Sequence, residues 1–247
     1  CQGDMIPDPA EAARRITERT KAIVLVTPNN PCGVEYPADV IQAFYDLAKS
    51  RGLALIIDET YRDFHSQSGP PHRLFEQEDW QDTLIQLYSF SKAYRLTGHR
   101  VGAVVTCEAR LAEIEKFLDA VTICPSQLGQ KAALWGLQNL GDWLAKERLE
   151  IFARRQAIVD HFPTLAAKGW RLLGLGAYFA YLEHPFDVSA TELAKQLVEE
   201  ADVLALPGSM FVPEGDDYGR RQLRIAFANI STEMIVVLFD RMAQVSQ

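Results

Sequence analysis

The stretch DTLIQLYSFSKAYRLTGHRVGAVVT, residues 82–106, decides how the fold of this 247-residue chain is read. It opens as an apolar strand, DTLIQLYSF (82–90), and closes as a second one, RVGAVVT (100–106). Across their junction stand Ser89, Ser91, Lys92 and, eight residues beyond the lysine, Arg100. Working outward, AIVLVT (22–27) and LALIIDE (53–59) are two more short runs rich in Val, Ile and Leu. They flank residues 37–51, where Val40, Ile41, Phe44, Leu47 and Ala48 share one helical face, Pro37 opens the helix and Gly52 follows its end. Continuous apolar strands joined through helices imply a sheet covered on both faces, hence the α/β class with most strands parallel.

Beyond residue 108 the pattern is helical almost without interruption to His161, with Pro125 opening one helix and Gly141 breaking the run. Strands return as WRLLG, YFAYLEH (178–184), VLALPG and QLRIAFAN (222–229). A helix opened by the capping-box spacing Ser189 to Glu192 lies among them, and a last helix begins near Ser231. The expected organisation is a larger domain over 1–140 and a bridging helix with a smaller α+β domain over 141–247.

Composition narrows the chemistry. Lys and Arg number 25 against 33 Asp and Glu, a net charge of −8, with no basic run to track a nucleic-acid backbone or an acidic membrane. The longest apolar stretches, Ala22 to Val26 and Leu53 to Ile57, fall far short of the roughly 20 residues that span a bilayer. The opening CQGDMIPDP has no secretory pattern, and Cys1, Cys32, Cys107 and Cys124 form no CxxC pair, so reduced thiols in the cytoplasm are expected. The five histidines show no ligand spacing, and no metal site is expected.

In an open parallel sheet, ligands bind beyond the carboxyl ends of the strands. Here those ends carry Thr27-Pro28-Asn29-Asn30-Pro31-Cys32-Gly33, Asp58-Glu59-Thr60-Tyr61 and Ser89-Phe90-Ser91-Lys92. Each has a plain alternative: Asn30 as turn chemistry, Asp58 as a helix cap, Tyr61 as core, Lys92 and Arg100 as solvated surface. Their joint occurrence at successive strand ends argues for a site. Arg224 interrupts an apolar strand, either snorkelling at an edge or recognising a planar anion. GLGAYF (174–179) has only a GxG and leads into a strand, a weak dinucleotide signal.

Taken together, these segments resemble the class I/II aminotransferases, fold-type-I pyridoxal-phosphate enzymes of the aspartate/aromatic aminotransferase superfamily. PNNPCG is similar to the family's NPxNPTG turn, LALIIDETY to its aspartate-and-tyrosine strand end, SFSKAYRLTGHRVG to its lysine segment, and QLRIAFAN to the strand carrying its substrate arginine. Cys32 stands where Thr is usual, His99 where Trp is frequent, and Thr27 where Asn is frequent.

The resemblance implies a Schiff base between Lys92 and pyridoxal 5'-phosphate, with Lys92 also moving the proton at Cα. Asp58 would face the pyridine nitrogen and Asn30 and Tyr61 the phenolic oxygen. Ser89, Ser91 and Arg100 would hold the phosphate. Arg224 would clamp the substrate α-carboxylate, with Tyr178 lining the pocket. It further implies amino-acid and 2-oxo-acid substrates and a homodimer. Family members carry a further N-terminal stretch, so the chain is expected to match their C-terminal portion and to hold a contiguous four-strand middle of a seven-strand sheet. Related C–S β-lyase, decarboxylase and cyclopropane-forming chemistries share the constellation, and a catalytically silent remnant or interaction module is the competing class.

Overall fold

The computed structural model describes residues 5–245. Cys1, one of the four cysteines weighed above, lies outside them. The described residues divide into two compact units, described separately. The N-terminal unit comprises Ile6–Pro28 and Glu35–Glu147; the C-terminal unit comprises Asn29–Val34, residues 148–245 and Met5.

In the N-terminal unit, helix α1 (Pro9–Arg15) starts where the Asp8 carboxylate accepts the Ala10 N–H at 2.8 Å. Strand β1 (Ala22–Val26) follows, then helix α2 (Ala38–Ser50), strand β2 (Ala54–Asp58), strand β3 (Leu84–Ser89), the one-turn helix α3 (Phe90–Ala93) and strand β4 (Gly102–Val105). The sheet order is β1-β2-β3-β4. The first three strands are parallel, as the apolar runs suggest, and β4 pairs antiparallel with β3. The reversal follows from length: a dozen residues separate β3 from β4, and they are spent on α3 and a 3-10 turn rather than on a crossover helix.

Helix α2 buries Ile41, Phe44, Tyr45 and Ala48, the stripe read from its periodicity. Leu55, Ile57 and Leu84 are fully buried in the sheet. Helices α4 (Glu108–Val121) and α5 (Gln127–Asn139) follow. α4 buries none of its residues, and Phe117 and Val121 are exposed.

Helix α6 (Gly141–Ala166) starts at the glycine that breaks the helical pattern and runs past His161 through Pro163. In the C-terminal unit come strands β5 (Arg171–Gly176) and β6 (Phe179–Glu183), helix α7 (Ala190–Ala201), strands β7 (Leu206–Pro207) and β8 (Gln222–Ala226), and helix α8 (Thr232–Gln244). Its antiparallel sheet has the order β5-β6-β8-β7. The capping box of α7 forms in full: Ser189 Oγ accepts the Glu192 N–H, and Glu192 accepts the Ser189 N–H.

The VLALPG strand is shorter than its apolar run suggests. Asp202 takes a left-handed conformation and the Val203 N–H returns to the Leu197 carbonyl, so the start of the run closes α7 instead. The GLGAYF segment is a β-hairpin whose two-residue turn is Ala177-Tyr178.

His184, just past β6, is fully buried beside Trp170 and Phe186. Its carbonyl accepts Arg221 Nε and Nη2 at 3.1 and 2.8 Å. Burial, then the Arg221 charge, push the imidazole down to about 4, against a backbone hydrogen bond at Phe186. The folded form thus holds His184 neutral while the unfolded chain protonates it at the ordinary value of 6.5. Its contribution is complete above pH 6.5 and is lost as pH falls from there toward about 4. Urea unfolding at pH 7.5 and 5 should show a fall of about 2 kcal/mol that His184→Leu removes; an equal fall in both proteins contradicts it.

Candidate active site

In the N-terminal unit the parallel register sets three strand ends side by side. Val26 pairs with Asp58, and Asp58 with Leu87. The ladder continues past the strands: the Thr27 N–H donates to the Asp58 carbonyl at 3.0 Å and the Glu59 N–H to the Leu87 carbonyl at 2.9 Å. The alternation of a strand then separates two carboxylates. Asp58 is half-buried; Glu59 is fully buried.

Asp58 Oδ1 accepts both the Thr60 N–H at 2.9 Å and the Thr60 hydroxyl at 2.7 Å. Two donors on one oxygen fix the carboxylate plane through Oδ1. Thr60 was not legible as a site residue, although the D-x-T spacing that makes this turn is present in the sequence.

Glu59 accepts from the Gln86 amide and lies 3.5 Å from both Arg62 Nη1 and His72 Nε2. His72 Nδ1 accepts the Leu74 N–H at 3.2 Å, which places its remaining proton on Nε2, toward Glu59. Burial alone would raise the Glu59 carboxyl; the His72 imidazole beside it, then Arg62 and Gln86, outweigh it and hold the group below the usual carboxylate range. This network ties the end of β2 to the far side of the Ser66–His72 loop.

Tyr61 is buried, and Lys92 Nζ lies 6.0 Å from the centre of its ring. Lys92 itself is half-buried on α3, whose N-cap is Ser89: its Oγ accepts the Ser91 N–H at 3.2 Å. The segment after Lys92 folds back on itself. Thr97 Oγ1 donates to the Ser91 carbonyl at 2.8 Å, and Arg100 Nη1 donates to the Thr97 carbonyl at 3.0 Å. Arg95 and Arg100 both take positive φ, 54° and 52°. Arg100 is exposed, and Ser89 pairs with Gly102 across the sheet. A side chain at 102 would meet the Tyr88 carbonyl at 2.8 Å, so the close return of this segment depends on glycine there. Asp58, Tyr61, Ser89, Ser91, Lys92 and Arg100 therefore belong to one unit, carried by adjoining strand ends.

The remaining expected residues lie in the C-terminal unit. Arg224 Nη1 donates to Asn30 Oδ1 at 2.6 Å. Its Cζ lies 4.7 Å from the ring centres of both Phe179 and Phe211, two neighbours that nothing in the motifs announces. The turn carrying Asn30 is braced by Asn29, whose Oδ1 accepts the Cys32 N–H at 3.2 Å and the Cys32 thiol at 2.9 Å. Cys32 thus serves as a donor where threonine is usual. Gly33 has φ 77°, and a Cβ there would meet the Phe179 carbonyl at 2.5 Å. Tyr178 is half-buried at the hairpin turn, and its carbonyl accepts the Phe227 N–H at 3.0 Å. Among the described residues no group of three His, Cys, Asp or Glu side chains is arranged to hold a metal ion.

Residues 4–242 match the family of class I and II aminotransferases. The chain belongs to that family. It is 28% identical over 228 residues to an aspartate aminotransferase of Sulfurisphaera tokodaii, covering 89% of this chain and 55% of the relative. It is 27% identical over 250 residues to an aspartate/prephenate aminotransferase of Thermus thermophilus, covering 97% and 60%. A tetra mutant of T. thermophilus aspartate aminotransferase superposes with a TM-score of 0.85 at 26% identity, over 97% of this chain and 63% of that one. The fold is that of these aminotransferases, and this chain spans a little over half to about three fifths of their length. No helix among the described residues is long and apolar enough to cross a membrane.

Removing the Glu59 carboxylate leaves His72 and Gln86 buried without their partner. Glu59→Ala should lower stability in urea by about 3 kcal/mol; a loss below about 1 kcal/mol would show that the network is not holding the end of β2.

Proposed function

We propose that the protein is a pyridoxal-phosphate-dependent aminotransferase that moves an amino group between an L-amino acid and a 2-oxo acid. The observation that supports this most is the joint placement of Lys92 against the buried Tyr61 ring and of Asp58, pinned by Thr60, on the adjoining strand end. The donor set fits the cofactor chemically. An amine is present for an aldehyde, a carboxylate with one oxygen uncommitted to Thr60 for a ring N–H, a phenol for an anionic oxygen, and hydroxyls with a guanidinium for a phosphate.

When bound, the cofactor supplies an electron sink for the bond-making and bond-breaking at the substrate Cα. The residues do the rest. Lys92 Nζ would hold the cofactor through its aldehyde and would supply the base that moves the proton at the substrate Cα. By the family resemblance, Asp58 would keep a proton on the ring nitrogen, Tyr61 and Asn30 would serve the phenolic oxygen, and Ser89, Ser91 and Arg100 would hold the phosphate. Arg224 would bind the substrate carboxylate, and Tyr178 would border the substrate. The family reading carries with it a homodimer and a cytoplasmic location.

The test is chemical. After incubation with pyridoxal phosphate, borohydride should fix one pyridoxyl group on the peptide containing Lys92, and Lys92→Ala should abolish it. With an amino acid and a 2-oxo acid, a new amino acid should then form. Pyruvate and ammonia released from a cysteine conjugate would indicate a lyase instead; absence of any fixation on Lys92 would leave a silent member of the family.

A further inference from the structure

We infer that Phe179 and Phe211 are positioning residues for carboxylate recognition by Arg224, a role that rests on the reading of Arg224 as the carboxylate ligand. The sheet order explains how they meet it. β8 lies between β6 and β7, so a side chain at the middle of β8 has a neighbour on each flank. On the β6 side, Tyr181 pairs directly with Arg224 and Phe179 with Ala226, which puts Phe179 diagonal to Arg224 on the same face. On the other side, Leu206 pairs with Arg224, and the 3-10 turn Gly208–Phe211 that follows β7 brings Phe211 back.

Both ring centres lie 4.7 Å from the guanidinium carbon, within the range where a ring face attracts a cation. Two rings at that distance crowd the guanidinium from two neighbouring elements, β6 and the turn after β7. One guanidinium edge is already fixed by Asn30 at 2.6 Å. Together with the Asn30 contact the rings limit rotation about the Arg224 side chain, holding its fork of N–H donors in one orientation for a carboxylate. Phe179 is buried with the β6 backbone. Phe211 is half-buried and packs against the apolar cluster of Met5, Cys32 and Tyr181, so its ring is itself held. Lysine at 224 would keep the charge and lose this plane.

Rings packed against a guanidinium also slow its reaction with carbonyl reagents. A nitrogen attacks only after the cation gives up a proton, and rings that favour the cation and crowd it oppose that attack. Phenylglyoxal modification, followed by peptide mass mapping, reads this on the chain as it stands, with exposed Arg171 as internal reference.

Arg224 should react more slowly than Arg171. Phe211→Leu should speed the reaction at Arg224 roughly five- to tenfold, leave Arg171 unchanged, and be reversed in Phe211→Tyr, which restores a ring. An unchanged rate at Arg224 overturns the shielding and with it the inference.

Calorimetric binding of 2-oxoglutarate to the pyridoxal-phosphate-loaded protein then separates the two readings. Loss of affinity in both Arg224→Lys and Phe211→Leu supports positioning. Loss in Arg224→Lys alone overturns it. No loss in Arg224→Lys, or no binding by the unmodified protein, overturns the carboxylate role of Arg224 itself while the reactivity result stands on its own.

Discussion

The structure depends on one constraint, the in-register parallel pairing of β1, β2 and β3. Parallel strands put their carboxyl ends on one side of a sheet, and the pairs Val26 with Asp58 and Asp58 with Leu87 bring three such ends level. A shift of one residue would exchange the faces of Asp58 and Glu59. The carboxylate of the buried network and the half-buried one would trade places. Burial enforces the register: Leu55, Ile57 and Leu84 are fully enclosed, and moving them outward would expose the core of the sheet.

Around that register the structure assigns different tasks to neighbouring carboxylates. Glu59 is held by Gln86, Arg62 and His72 and serves as an anchor for the loop beyond β2. Asp58 is held only through one oxygen, by the threonine two residues on. Arg224 is likewise held by its neighbours: Asn30 accepts from one nitrogen and two phenylalanine rings pack near the guanidinium carbon.

Much of this was legible in the sequence. The strand runs, the α2 stripe and the Ser189 capping box are local patterns, and local physics is enough to produce them. The lysine segment was legible because a glycine, two serines, an arginine and a lysine at fixed offsets serve a single folded-back loop. What was hidden depends on tertiary placement. Nothing in the sequence around Phe211 says that a 3-10 turn after β7 returns it to β8. His72 sits in a polar loop whose pairing with Glu59 spans thirteen intervening bonds of sequence pattern that carry no period. The shortness of β7 was hidden for another reason: Val203 and Ala205 are buried, as a strand reading expects, yet the backbone there closes a helix.

The proposed function requires the end of β2 to present Asp58 to a cofactor bound through Lys92. The most direct measurement is the ¹⁵N chemical shift of pyridoxal phosphate labelled at the ring nitrogen and bound to the protein. With Asp58 in place the nitrogen should be protonated, and in Asp58→Asn its shift should move to the unprotonated position. An identical shift in both proteins would contradict it.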